Sequence, residues 1–215
     1  MRNIIFLGAP GSGKGTQSAY IIKDYGLIQI STGDILRAAV KDGTELGKLA
    51  KQYMDDGKLV PDDVIIGVMR DRLKQDDAKG GFILDGFPRT VAQSEALDSM
   101  LKNELHTEIT HVISLDVPDE LIYERITGRR SCPECGRVYH LAFNPPKREE
   151  TCDYDGAALV QRSDDTAETL SKRLAVFHQT TSLLEPLYEK RGKLLMVDGT
   201  GAPDLIYAGI KSFLK

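Results

Sequence analysis

The sequence predicts an α/β protein, a parallel sheet covered on both faces by helices and opened by a phosphate-binding loop. Three observations carry this. Short apolar runs alternate with helical periodicities along the chain. A loop with four glycines, Gly8, Gly11, Gly13 and Gly15, joins the first apolar run to the first helix. One stretch, from Gly128 to Asp165, breaks the alternation and reads as a small separate lobe.

Residues 4–7 form a short buried strand that ends at Gly8. Residues 14–25 are helical, with Gln17, Ala19, Tyr20, Ile21 and Ile22 along one mostly apolar side and Gly26 as the stop. A second strand covers residues 28–30. Three helices follow at 35–41, 45–56 and 62–73, separated by Gly43, Gly57 and Pro61. Residues 82–84 are a strand running into Asp85-Gly86-Phe87-Pro88-Arg89, and 90–102 a helix. Residues 111–115 are a strand, and Pro118 opens a short helix through Ile126. After the lobe, Leu170, Leu174, Phe177, Thr181, Leu184 and Tyr188 form one helical stripe. A strand at 194–197 and a helix at 203–214 close the chain. Ligands in such a fold bind at the carboxyl ends of the strands.

The chain has 215 residues, 41% of them hydrophobic, enough for one core with an inserted module. Acids outnumber bases by 32 to 28, which argues against a general nucleic-acid binder. The run at 4–7 is too short for a signal peptide, and no apolar stretch is long enough to span a bilayer, so the expected address is cytosolic.

The sharpest motif is Gly8-Ala9-Pro10-Gly11-Ser12-Gly13-Lys14-Gly15-Thr16, placed between a strand and a helix. Glycines let successive backbone N–H groups turn inward on a phosphate, and the helix adds the positive end of its dipole. Lys14 supplies a full charge. Gly15 stands where Ser or Thr usually follows the lysine, so direct magnesium ligation by that hydroxyl is not supplied. The dinucleotide pattern G-x-G-x-x-G is not met, because Thr16 occupies the third glycine position.

Arginines are the second feature: Arg37, Arg89, Arg125, Arg129, Arg130, Arg162 and Arg173. Each alone reads as a solvated helix face, but together they suit phosphate, which the guanidinium grips with a planar fork. Arg125 and Arg129 share a face if their helix extends that far. Arg89 follows a strand end and a turn. Asp85, at that strand end, is placed to hold magnesium through water.

The three cysteines cluster as Cys132-x2-Cys135-x16-Cys152-x2-Asp155, the spacing of a two-knuckle, closed structural zinc site. Aspartate as fourth ligand favours zinc over an iron–sulfur cluster. The alternative is three free thiols.

Read together, the glycine loop, Asp85-Gly86-Phe87-Pro88-Arg89-Thr90 and the cysteine lobe closely resemble adenylate kinase. So do Ser31-Thr32-Gly33-Asp34 with Arg37, Gly57-Lys58-Leu59-Val60, Gly128-Arg129-Arg130, Gly136-Arg137-Val138-Tyr139-His140 and Asp198-Gly199-Thr200. The resemblance covers essentially the whole chain, and the long lobe looks like the bacterial-type lid. It implies the P-loop nucleoside monophosphate kinase fold and a reversible, magnesium-dependent reaction, ATP plus AMP giving two ADP. It implies a core (1–30, 61–127, 166–215), an AMP-binding segment (31–60) and a lid (128–165) that closes over both substrates. It places Gly11, Ser12, Gly13, Lys14, Gly15 and Thr16 on ATP, with Arg129, Val138, Tyr139 and Gly201. It places Thr32, Arg37, Lys58, Leu59, Val60, Gly86, Phe87, Pro88, Arg89 and Gln93 at AMP. Arg162 and Arg173 reach the phosphates, and Lys14, Arg89, Arg129, Arg162 and Arg173 serve catalysis. A monomer with no nucleic-acid or membrane partner is implied.

Three rivals stand beside this: a kinase for UMP, CMP or GMP, a GTP-dependent switch, and a zinc-ribbon nucleic-acid module. Asn-Lys-x-Asp is absent, which weighs against the second, and the acidic balance weighs against the third. Of the histidines, His140 lies in the lid where it could approach ATP, while His106, His111 and His178 carry no evident role.

Overall fold

The computed structural model describes residues 1–215. The central strand β1 (Asn3–Gly8) runs parallel to β3 (Phe82–Asp85) on one side and β4 (His111–Asp116) on the other. Beyond these lie β2 (Ile28–Ser31) and β7 (Leu194–Asp198), giving a five-stranded parallel sheet in the order β2-β3-β1-β4-β7. The glycine loop therefore leaves β1 at the middle of the sheet. There the connections diverge to opposite sides, where open α/β sheets form their ligand crevice.

Strand alternation sorts the core into two layers. Ile5, Leu7, Phe82, Leu84 and Val112 face one cluster; Ile4, Phe6, Ile83, Ile113 and Leu115 face the other. Helices α4 (Asp62–Leu73), α5 (Val91–Asn103) and α8 (Leu184–Lys190) cover the first face, while α1 (Lys14–Tyr25) and α9 (Pro203–Phe213) cover the second. Full burial of each large side chain contributes about 1.5–3 kcal/mol before entropy is counted. Gly26, with φ 67°, ends α1 as the sequence predicts.

Between β2 and α4, α2 (Thr32–Lys41) and α3 (Glu45–Asp55) form a hairpin. The two helices touch backbone to backbone: a Cβ on Gly47 would stand 2.0 Å from the carbonyl oxygen of Ala39. Helix α2 begins three residues earlier than expected, because the Ser31 hydroxyl accepts the Asp34 N–H at 3.2 Å and caps it.

Helix α6 (Asp119–Thr127) packs on α7 (Ala167–Gln179) through Ile122, Ile126, Leu170 and Leu174. Residues 129–165 lie between them and carry a two-stranded antiparallel sheet, β5 (Arg129–Ser131) with β6 (Val138–His140). Three-residue strands show no periodicity, so the sequence does not reveal them. The buried cluster here is four residues: Cys132, Tyr139, Cys152 and Leu159. So small a core does not hold a lobe unaided.

Two further expectations change. Helix α6 ends before Gly128 and Arg129 sits on β5, so Arg125 and Arg129 do not share a helix face. The stripe from Leu170 to Tyr188 is not one helix: α7 stops at Gln179, a 3-10 turn covers Thr181–Leu183, and α8 follows. Three hydroxyls compete for backbone there. Thr180 Oγ1 donates to Val176 O and Ser182 Oγ to His178 O, both at 2.7 Å, while Thr181 Oγ1 donates to Arg89 O at 3.2 Å. Pro186 then lacks the N–H a continuous helix would need. A 3-10 turn at Asp76–Gly80 also escapes the sequence reading. The Phe87–Pro88 peptide is cis.

Candidate active site

The loop after β1 is shaped by glycine where no other residue fits. Gly8 has φ 133°, and a Cβ there would meet the carbonyl of Leu115 at 2.8 Å. Gly13, φ 104°, is the N-cap of α1 and offers no capping side chain. The first turn of α1 holds no acidic residue either, so its free N–H groups and dipole face the loop uncompensated. Arg125 braces this arrangement from α6: Nη1 donates to Ser12 O at 3.3 Å and Nη2 to Gly199 O at 2.8 Å.

Lys14 Nζ donates to Gly8 O and Ala9 O, both at 2.8 Å. Burial pulls its pKa down to about 8; Asp85 opposes this, while Arg89, Arg173 and Arg129 add to it. The ammonium is held beside carbonyls and other cations, a place that an anion would relieve.

A cavity of about 80 Å³ lies between the start of α2, the turn after β3 and α7. Leu36, Met54, Leu59, Val60 and Ile65 form its apolar wall, and Thr32, Gly33, Arg37, Gly57, Lys58, Gly86, Arg89, Gln93, Asp164 and Arg173 complete it. Thr32 Oγ1 donates to Gly86 O at 2.9 Å, and Arg89 Nε donates to the same carbonyl at 2.8 Å, tying the start of α2 to the turn after β3. Gln93, 2% exposed, accepts the Arg89 N–H at 2.7 Å through Oε1.

The cations meet between loop and cavity. Arg129 pairs with both oxygens of Asp165, which is fully buried. Arg173 donates to Asp164 Oδ2 at 2.8 Å. Arg162 Nε donates to Ser131 Oγ at 2.9 Å. Arg37 pairs with Asp34. Burial, then neighbouring arginines, lowers the Arg89 and Arg162 guanidiniums to about 10. Burial resists ionisation of Asp164, but Arg173 and then Arg37, Arg129 and Arg162 outweigh it and hold its pKa below the usual range. Six cations (Lys14, Arg37, Arg89, Arg129, Arg162, Arg173) thus converge on four carboxylates (Asp34, Asp85, Asp164, Asp165), a charge balance that favours phosphate.

Across the lobe, Cys132, Cys135, Cys152 and Asp155 bring one ligand atom each to within 4.8 Å of one another. Cys135 Sγ lies 3.6 Å from Cys152 Sγ, and Cys132 Sγ 3.3 Å from Asp155 Oδ2. A tetrahedral ion with metal–sulfur bonds of about 2.3 Å has edges of roughly 3.5–3.8 Å, so the donor set fits zinc. Desolvation, then the hydrogen bond to Asp155, pushes the Cys135 thiol up to about 12.

Comparison with known proteins settles the lineage. The family model described as adenylate kinase matches residues 6–193. An adenylate kinase of Archaeoglobus fulgidus is 54% identical over 213 residues, 99% of this chain and 98% of that protein. Adenylate kinases of Shouchella clausii, 50% identical over 213 residues, and Thermodesulfovibrio yellowstonii, 51% over 212, cover 99% of this chain and 98% of their own lengths. The chain belongs to the adenylate kinase family.

Nine of the residues assigned to AMP or its phosphate by likeness to adenylate kinase line the one cavity: Thr32, Arg37, Lys58, Leu59, Val60, Gly86, Arg89, Gln93 and Arg173. Phe87 does not; it is wholly buried in the core, and Pro88 is buried beside it. Arg162 stands outside the lining, anchored on Ser131. On the ATP side, Gly15 and Thr16 are exposed at the start of α1, whereas the Ser12 hydroxyl is buried without a partner. Val138 is exposed on β6, but Tyr139 turns inward and its hydroxyl lies 3.5 Å from Cys152 Sγ, inside the lobe's own core. Gly201 sits in the exposed turn between β7 and α9. His140 stacks on Phe143 and accepts the Ala142 and Phe143 N–H groups through Nδ1, a local role within the lobe. Sequence reasoning missed Asp62, Asp164 and Asp165, the carboxylates that hold the working side chains. Two adjacent acids just after Arg162 were the available signal.

Proposed function

We propose that the chain transfers the γ-phosphoryl group of ATP to AMP, reversibly, giving two ADP. One observation carries the reading: Arg89 and Arg173, which line the cavity, also act with Arg129 on the charge of Lys14 in the glycine loop. A donor phosphate chain on the loop and an acceptor phosphate from the cavity would meet there. The acceptor oxygen is already ionised near neutral pH, so no base is needed. Alignment and positive charge suffice.

In this reading residues 31–60 bind the acceptor and 128–165 form a lid. The cavity, at about 80 Å³, is smaller than the roughly 300 Å³ that small-ligand sites begin at, so the 31–60 segment must swing away to admit AMP and return over it. Closure excludes water, the competing acceptor. Arg129 and Arg173 would exchange their carboxylates, Asp165 and Asp164, for phosphate oxygens. Asp85 fits a water-mediated magnesium contact: Oδ2 accepts from Gln29 at 3.0 Å and Oδ1 has no protein partner. When bound, magnesium neutralises the donor's phosphate oxygens. Zinc held by Cys132, Cys135, Cys152 and Asp155 would be structural, with no open position for chemistry. The chain works as a monomer in this account, and no helix is long and apolar enough to cross a membrane.

The test is ADP formation from ATP and magnesium with AMP, UMP, CMP or GMP as acceptor. AMP should be turned over far faster than the rest. No ADP from AMP would overturn the reading.

A further inference from the structure

Gln93 is the only side-chain amide in the cavity wall. With the Thr32 hydroxyl proton already given to Gly86 O, it is the only side chain there that still offers a donor and an acceptor together to the edge of a base. Which end faces which way is not free. Its Oε1 accepts the Arg89 N–H at 2.7 Å, and its Nε2 donates to Asp62 Oδ1 at 2.6 Å. A carboxylate only accepts, and a backbone N–H only donates. Inverting the amide would set oxygen against oxygen at Asp62 and N–H against N–H at Arg89.

Asp62 is itself fixed. It is the first residue of α4, half-buried, and its second oxygen accepts the Thr90 hydroxyl at 3.0 Å. That same hydroxyl accepts the Gln93 N–H at 3.1 Å and caps α5. The three side chains form a closed set. One N–H and one lone pair of the Gln93 amide remain for the cavity, in a single order.

That order matters to a purine. Adenine presents a donor at the 6-position and an acceptor at N1. A 6-oxopurine presents the reverse, an acceptor at position 6 and a donor at N1. We propose that Asp62 is a positioning residue that sets base specificity: it locks the Gln93 amide in the orientation that matches adenine and opposes a 6-oxopurine. The inference rests on AMP being the acceptor.

The test compares kcat/KM for AMP and for inosine monophosphate, which carries the reversed edge without guanine's extra amino group, in the wild type and Asp62→Asn. Asparagine has nearly the same shape but can donate, so the contact at position 62 no longer opposes the inverted Gln93 and only the Arg89 N–H still does. The AMP-over-IMP ratio should fall by about tenfold or more in Asp62→Asn, with the change in the acceptor's KM and none in that for ATP. Equal losses for both acceptors, leaving the ratio unchanged, would reduce Asp62 to a structural support and overturn the proposal. A wild type with no preference for AMP over IMP would instead overturn the AMP reading beneath it. A second measurement needs no variant: the Gln93 side-chain amide protons, followed by NMR in the wild-type chain, should exchange slowly with water. Fast exchange would overturn the lock even if Asp62→Asn fails to fold.

Discussion

Lys14 occupies a position where its charge is unfavourable until a phosphate arrives. Its folded pKa of about 8 lies below its ordinary 10.5. Below pH 8 the buried ammonium works against the fold, and that penalty is relieved as pH rises from about 8 to 10.5, where the unfolded chain binds more protons than the native one. Nucleotide reverses the balance by restoring the charged form. Binding above pH 8 should therefore take up a proton, and affinity should weaken as pH rises through that value. Calorimetry of ATP binding at pH 9 in buffers of different ionisation enthalpy checks this; buffer-independent heats would refute it. Replacing Lys14 with Met should lower kcat/KM by about 10²–10³-fold, the scale of one lost transition-state donor, while leaving thermal stability equal or higher. An equal loss of stability and activity would mean that the lysine mainly holds the loop together. This residue and its glycines were legible because strand, loop and helix announce one another in sequence. Asp164 and Asp165 were not, since nothing local tells an acid that pairs with Arg129 and Arg173 from one facing water.

At the scale of elements, the cysteine knuckles and the α2–α3 hairpin each hang on one contact type. With only four residues in its own hydrophobic cluster, the lobe between α6 and α7 would depend on zinc held by its ligand set. Removing metal with a chelator, or replacing Cys132 with Ser, should lower the melting temperature by several degrees while activity at mild temperature falls less. An unchanged melting temperature in metal-free protein would show that the lobe is held otherwise. In the hairpin, Gly47→Ala sets a methyl against backbone that has no rotamer to yield. It should destabilise the chain by about 1–3 kcal/mol, read by denaturant titration. Most helices could be placed from periodicity and breakers. The failures came where side chains competed for backbone groups, as Thr180, Thr181 and Ser182 do, or where strands were too short to show a period, as in β5 and β6.

For the whole molecule, the two mobile parts in the proposed cycle meet at one ion pair. Lys41 at the end of α2 lies 3.6 Å from Glu134 beside the second cysteine, and both are well exposed. Such a pair is screened by salt and modest in strength. Glu134→Gln should shift the equilibrium between open and closed forms by no more than about fivefold, and added salt should mimic it. Fluorescence distances between labels on residues 31–60 and 128–165, with and without a bisubstrate inhibitor, read that equilibrium. No shortening with the inhibitor would refute closure.

The backbone contact at Gly47 has a mechanical consequence. Two helices joined that closely do not slide or splay, so the 31–60 segment behaves as a stiff lever with its pivots at the chain joints beside Ser31 and Pro61. A few degrees of torsion there become ångströms of travel at Lys41, the far end of α2. In the proposed cycle the segment would therefore open wide while no helix bends, and the work of opening would fall on a handful of dihedral angles.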